Sequence, residues 1–170
     1  MQKVITRTTK KTSESKMKSG RSIMPTDLNT KATMYGAKLL ELADSTAGSV
    51  AIRHVRGPVT TASVDSYDFL KPFKMGQFLF VEGFVSGVGN QSIEICVKFI
   101  GEDHLTSERF LGGIAFLTFR AKGLQKDELV PDIIGETKEE IKIIEGYEAR
   151  RNSVLEKIKR NKEIFEYIEI

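Results

Sequence analysis

The chain has 170 residues, of which 40 % are hydrophobic and 29 % charged, with 14 Gly, 4 Pro and a net charge of +3. That composition suits one soluble globular domain with appendages and excludes collagen-like, low-complexity and wholly disordered chains. A chain this long can bury enough surface to fold without disulfides, and its single cysteine, Cys96, cannot form an internal one, which points to a reducing compartment and a cytoplasmic protein.

The charge is uneven along the chain. Residues 1–28 hold seven basic and two acidic side chains, residues 131–170 eight basic and ten acidic, and the middle is neutral. The positive excess lies in a Thr/Ser/Lys-rich arm, most simply a solvated extension, part of which can pair as an edge strand. Nucleic acid is the alternative partner for such an arm, but no aromatics interleave with its charges, as a single-strand binder would need. No nucleic-acid partner is therefore expected. A strand is possible near 17–24. Residues 36–52, GAKLLELADSTAGSVAI, repeat Leu39, Leu40, Ala43, Ala47, Val50 and Ala51 at helical steps. The other faces are also small or apolar, so this helix is expected to be buried nearly all round. Asp44 stands in the middle of it, a carboxylate that is costly in a core unless paired or hydrogen-bonded.

Four strands are expected next, at 59–68, 78–86, 92–100 and 113–121. Gly87-Val88-Gly89-Asn90 forms a hairpin signal, and GEDHLTSER a polar turn. In 92–100, Ile93, Ile95, Val97 and Phe99 alternate with Glu94, Cys96 and Lys98. The tail, about 137–167, reads as one amphipathic helix with Thr137 as N-cap and an acidic first turn. The expected organisation is a basic arm (1–16), an α+β domain with an antiparallel sheet wrapped around a long central helix (17–130), and a helical extension (131–170). One Cys and two His fall short of a structural zinc site, and no metal is expected. No run approaches a membrane span, and the basic start MQKVITRTTKK lacks the apolar stretch of a secretory signal.

The order of motifs resembles the hotdog-fold acyl-CoA thioesterases of the acyl-CoA hydrolase branch. Asn29 precedes a Tyr35-Gly36-Ala37 turn and a helix bearing Asp44. Thr60-Thr61-Ala62-Ser63-Val64-Asp65 runs to Phe69-Leu70-Lys71-Pro72 and Gly76. Gly89-Asn90-Gln91-Ser92-Ile93-Glu94 follows, then Val130-Pro131, Thr137-Lys138-Glu139-Glu140 and Ala149-Arg150-Arg151. The likeness covers about residues 17–160. Ala37 replaces the usual second Gly, and Asn90-Gln91 a hydroxyl-rich pair.

The resemblance implies hydrolysis of acyl-CoA to free acid and CoA, with no cofactor beyond the CoA of the substrate. Asp44 would act as general base or nucleophile, and the Gly36 and Ala37 amides at a helix start would form an oxyanion hole. Asn29 would orient the water or bind the carbonyl, coming from a different subunit than the Asp44 it works with. Thr61 and Ser92, at matched positions on neighbouring strands, would bond the thioester region or the Asp, with Gly89 and Asn90 at the substrate. Arg53, Lys71, Lys74, Arg150 and Arg151 are the candidate cations for CoA phosphates. Each of these residues also has an ordinary role: an entry-turn Gly, a capping Asn, strand hydroxyls, solvated surface charges. His54 reads as a surface or capping residue. A homodimer, stacked further into a trimer of dimers, is expected. A non-catalytic acyl-CoA sensor is the alternative function.

Overall fold

In the computed structural model, which describes residues 7–124 and 128–169, the apolar periodicity of 36–52 forms helix α1, Gly36–Val55. It stops where Arg56 turns into the left-handed region at φ 55°. Leu39, Ala43, Ala47, Val50, Ala51 and His54 face the core, and the alanines among them let a sheet approach closely. The expectation of a helix buried all round fails. Leu40, Asp44 and Ile52 are exposed, because the sheet covers only one side of α1.

Seven strands lie among the described residues: β1 (Thr9–Lys11), β2 (Met17–Ser22), β3 (Val59–Phe69), β4 (Gln77–Val88), β5 (Ser92–Asp103), β6 (Arg109–Ala121) and β7 (Asp132–Ile134). Five form an antiparallel sheet in the order β2-β4-β5-β6-β3, curled around α1 as in the hotdog fold. β3 leaves the end of α1 and pairs with β6, so it forms one edge, bulged between Thr61 and Ser63 and again between Val64 and Ser66. The polar turn is shorter than the sequence suggests, because β5 and β6 run on to Asp103 and back from Arg109.

β5 is buried on both faces. Ile93, Ile95, Val97 and Phe99 are fully buried in the core cluster with α1, and Glu94, Cys96 and Lys98 are buried on the opposite face. The second face is covered by the chain ends. The tail is not one helix but two, α2 (Lys138–Glu145) and α3 (Tyr147–Phe165), broken at Gly146. The break lets the Tyr147 ring lie against Gly87, where a Cβ would have no room. One turn further, Arg150 reaches Glu94, its Nη2 donating to Oε1 at 2.7 Å while Ser86 Oγ donates to the same oxygen at 2.7 Å. The Arg150 guanidinium also lies 4.4 Å from the Phe116 ring centroid. Beyond this anchor α3 buries no residue. Burial pushes the Cys96 thiol up to about 12, so it stays protonated.

Part of the basic arm is packed. β1 pairs in parallel with β7, and Thr12 and Ser15 are buried. Glu140, buried at the capping-box position of α2, accepts from Thr12 Oγ1 (2.8 Å), Lys16 Nζ (2.9 Å) and the Glu136 and Thr137 amides. Burial opposes its charge, but these donors outweigh it and bring its pKa down to about 2. His54 is not at the surface. It is fully buried under this strap, its Nε2 donating to the Pro131 carbonyl at 2.9 Å and its Nδ1 unpartnered. Burial, aided by the nearby Lys10 charge, lowers its pKa against the Pro131 hydrogen bond. Helices long and apolar enough to cross a membrane are absent from the described residues.

Candidate active site

The approach to α1 is fixed by Asp27, which the sequence marked only as a charge. It is buried and accepts from the Met24 amide, Arg21 and Lys38, while its own carbonyl receives the Tyr35 amide at 2.8 Å. Burial raises its pKa, but these donors together hold the carboxyl below its usual range. The loop that carries Asn29 is thereby tied to the first turn of α1. Asn29 closes a tight turn of its own: Oδ1 accepts from the Lys31 amide (2.8 Å) and Nδ2 donates to Thr33 Oγ1 (3.0 Å).

α1 starts at Gly36 after an extended Tyr35, with no side chain capping it and no acidic residue in its first turn. The first amides of a helix lack intrahelical partners and carry partial positive charge. The start of α1 therefore offers hydrogen-bond donors to an acceptor, and Ala37 keeps its N–H. Beside it opens a cleft of about 280 Å³ lined by Thr33, Met34, Gly36, Leu39 and the segment from Phe69 to Phe73.

Asp44 lies eight residues into α1, about 12 Å along the axis from Gly36, on the exposed side. It is not a core carboxylate. Thr61, on edge strand β3, donates from Oγ1 to Asp44 Oδ1 at 2.9 Å. The pairing is set by register: Thr61 stands opposite Phe119, whose ring packs at Gly48 of α1, so both side chains face the helix.

Ser92 does not join them. β3 and β5 are not neighbours, because β6 runs between them. Ser92 alternates with core-facing Ile93, so it lies on the outer face, where it hydrogen-bonds Tyr147. Gly89 and Asn90 form the adjacent hairpin turn and are held by the strap: Arg7 donates to the Gly89 carbonyl and the Val130 amide to that of Asn90. Within the chain, Arg150 donates to Glu94 and to the Ile143 carbonyl and so anchors the tail. Arg151 is exposed beside Glu148, and Arg53, Lys71 and Lys74 are exposed. Within one chain the structure unites Asp44 with Thr61 and Asn29 with the start of α1. Ser92 and Arg150 lie on the outer face of the sheet, Gly89 and Asn90 at the β4–β5 turn, and Arg151 is exposed on α3. Among the described residues, no group of His, Cys, Asp or Glu is placed to hold a metal ion.

The thioesterase superfamily model matches residues 31–108. YkhA, an uncharacterized acyl-CoA thioester hydrolase of Bacillus subtilis, is 41 % identical over 129 residues, 75 % of each chain. The acyl-CoA hydrolase of Staphylococcus aureus, solved with butyryl-CoA, CoA and CoA disulfide, has a TM-score of 0.87 at 32 % identity, covering 94 % of this chain and 98 % of that one. Variants of that enzyme with an aspartate, a threonine or an asparagine replaced by alanine are equally similar. A hexameric acyl-CoA thioesterase matches with a TM-score of 0.82 at 31 % identity, covering 89 % of this chain and 97 % of that one. By this shared fold, and by an identity that extends over three quarters of a relative's length, the chain belongs to the acyl-CoA thioester hydrolase family of the thioesterase superfamily.

Proposed function

We propose that the protein hydrolyses acyl-CoA thioesters to free acid and CoA, with Asp44 as the reacting carboxylate. The observation that carries this reading is the exposed Asp44 on α1, oriented by the Thr61 hydroxyl at 2.9 Å. As general base, Asp44 takes a proton from water. That water attacks the thioester carbon, the C–S bond breaks, and the CoA sulfur leaves and is protonated. As nucleophile, its carboxylate attacks the thioester carbon and expels the CoA thiolate, and water then opens the mixed anhydride to the free acid and the regenerated carboxylate. In either route the carbonyl oxygen becomes an oxyanion, which the Gly36 and Ala37 amides stabilise. The Asn29 carboxamide, whose turn abuts the same helix start, orients the water or the carbonyl.

Asn29 and Asp44 do not meet in one chain, so the reading includes a homodimer in which each site takes Asn29 from one chain and Asp44 from the other. The aspartate, threonine and asparagine replaced in the Staphylococcus aureus hydrolase stand at the same spacings from one another as Asp44, Thr61 and Asn29, which supports the assignment. The hexameric relative supports a trimer of such dimers.

The test is release of free thiol from acyl-CoA by purified protein. Asp44→Ala is expected to lower kcat at least about 100-fold. Thr61→Val, which removes one hydrogen bond to a charged group, is expected to lower it about tenfold. Both variants should keep the fold of the chain, read by circular dichroism, because Asp44 and Thr61 are exposed within it. Wild-type rates in Asp44→Ala would overturn the assignment.

A further inference from the structure

The cleft beside Gly36 has a largely apolar lining. Met34, Leu39 and Phe73, all at most 5 % exposed, are its buried apolar lining; Thr33 and Lys71 are its polar side chains. Its volume, about 280 Å³, lies just below the usual range of small-molecule sites, which starts at about 300 Å³. The cleft adjoins the site described above: Thr33, which accepts from Asn29, and Gly36, which begins α1, both line it.

The two walls differ in how closely they are packed. Phe73 is fixed, since its ring occupies the space a side chain at Gly112 would need. The Leu70 and Lys71 amides both donate to the Gly112 carbonyl, at 2.9 and 3.1 Å. Lys71 reaches back over the Phe110 ring, 5.9 Å from its centroid. Phe69 is different. It is 59 % exposed, ends edge strand β3, and stacks only on Tyr67, at 4.2 Å between ring centroids. Its ring edge lies 3.5 Å from the Cβ position of Gly36, so Phe69 lines the cleft beside the helix start.

The geometry points to this cleft as the acyl-chain site and to Phe69 as the residue that sets how long a chain it accepts, with short and medium unbranched chains favoured. This inference rests on the hydrolase reading above. A chain entering from the carbonyl at Gly36 meets the Phe69 ring first and the fixed Phe73 wall behind it. Removing the ring widens the passage without touching the buried lining, and enlarging it narrows the passage.

The experiment is a series of rates on saturated acyl-CoAs from acetyl to palmitoyl, for wild type, Phe69→Ala and Phe69→Trp. In Phe69→Ala the ratio of kcat/KM for dodecanoyl-CoA over butyryl-CoA should rise at least about tenfold, the scale on which pocket methylenes are discriminated. In Phe69→Trp it should fall. Phe69 is 59 % exposed within its chain, so each chain keeps its fold, and the oligomeric state of both variants is checked beside the rates. Active variants with the wild-type ratio would overturn the role of Phe69 while leaving the hydrolase reading intact. A wild-type protein that hydrolyses none of the series would overturn the reading on which the inference stands.

Discussion

At the scale of single residues, buried ionisable groups tie the fold to pH. Glu140 has a folded pKa of about 2, well below the ordinary glutamate value, so its contribution is full above pH about 4.5 and is lost as pH falls toward 2. His54 is also shifted downward, and its neutral form is the one that folds. Protonation would place an N–H at buried Nδ1 with no acceptor, so stability is lost as pH falls below the ordinary histidine value of about 6.5. Urea midpoints measured from pH 8 to 3 should therefore decline in two steps. Glu140→Gln should shrink the lower step, to which buried Asp27 also contributes, and His54→Gln should remove the upper one. Neither group announced its burial locally: Glu140 looks like an acidic first turn, and its donors Thr12 and Lys16 lie more than 120 residues away. Asp44 was legible as an anomaly in an apolar stripe, but for a different reason than its setting shows. It is tolerated because that side of α1 is open, not because a core partner neutralises it.

At the scale of elements, local pattern carried most of the strands and α1, since β-branched alternation and three-to-four spacing are consequences of which face is buried. Strand order was not local. Thr61 and Ser92 looked like a matched pair, yet β6 separates their strands, because β3 crosses to the sheet edge after α1. The break at Gly146 was equally hidden, since helical periodicity runs straight through it. What decides it is tertiary: Tyr147 must settle on Gly87 and Arg150 on Glu94. Glu94 is 3 % exposed, and removing its partner would leave a buried charge unpaired. Arg150→Ala should therefore cost roughly 3–5 kcal/mol in urea unfolding. A loss no larger than that of a surface substitution would show that the ion pair does not anchor the tail.

At the scale of the molecule, the proposed reading makes one chain half of a site. α1 exposes Ala37, Leu40, Asp44 and Ile52 on the side the sheet leaves open, and the adjoining edge strand β3 ends in exposed Phe69. A second copy related by a two-fold axis would cover this face and extend the sheet past its unpaired edge. The same operation would bring Asn29 of one chain toward Asp44 of the other, which the helix rise of about 12 Å prevents within a chain. This sharing of the site across two chains is the central claim, and subunit complementation tests it most directly. Asn29→Ala and Asp44→Ala chains, each inactive alone, are mixed under conditions in which subunits exchange, with exchange followed by mass-tagged chains. Each mixed dimer holds one site with both residues intact, so thiol release from acyl-CoA should return. Mixed dimers that form but remain as inactive as their parents would contradict the claim, and would mean that each site is built within one chain.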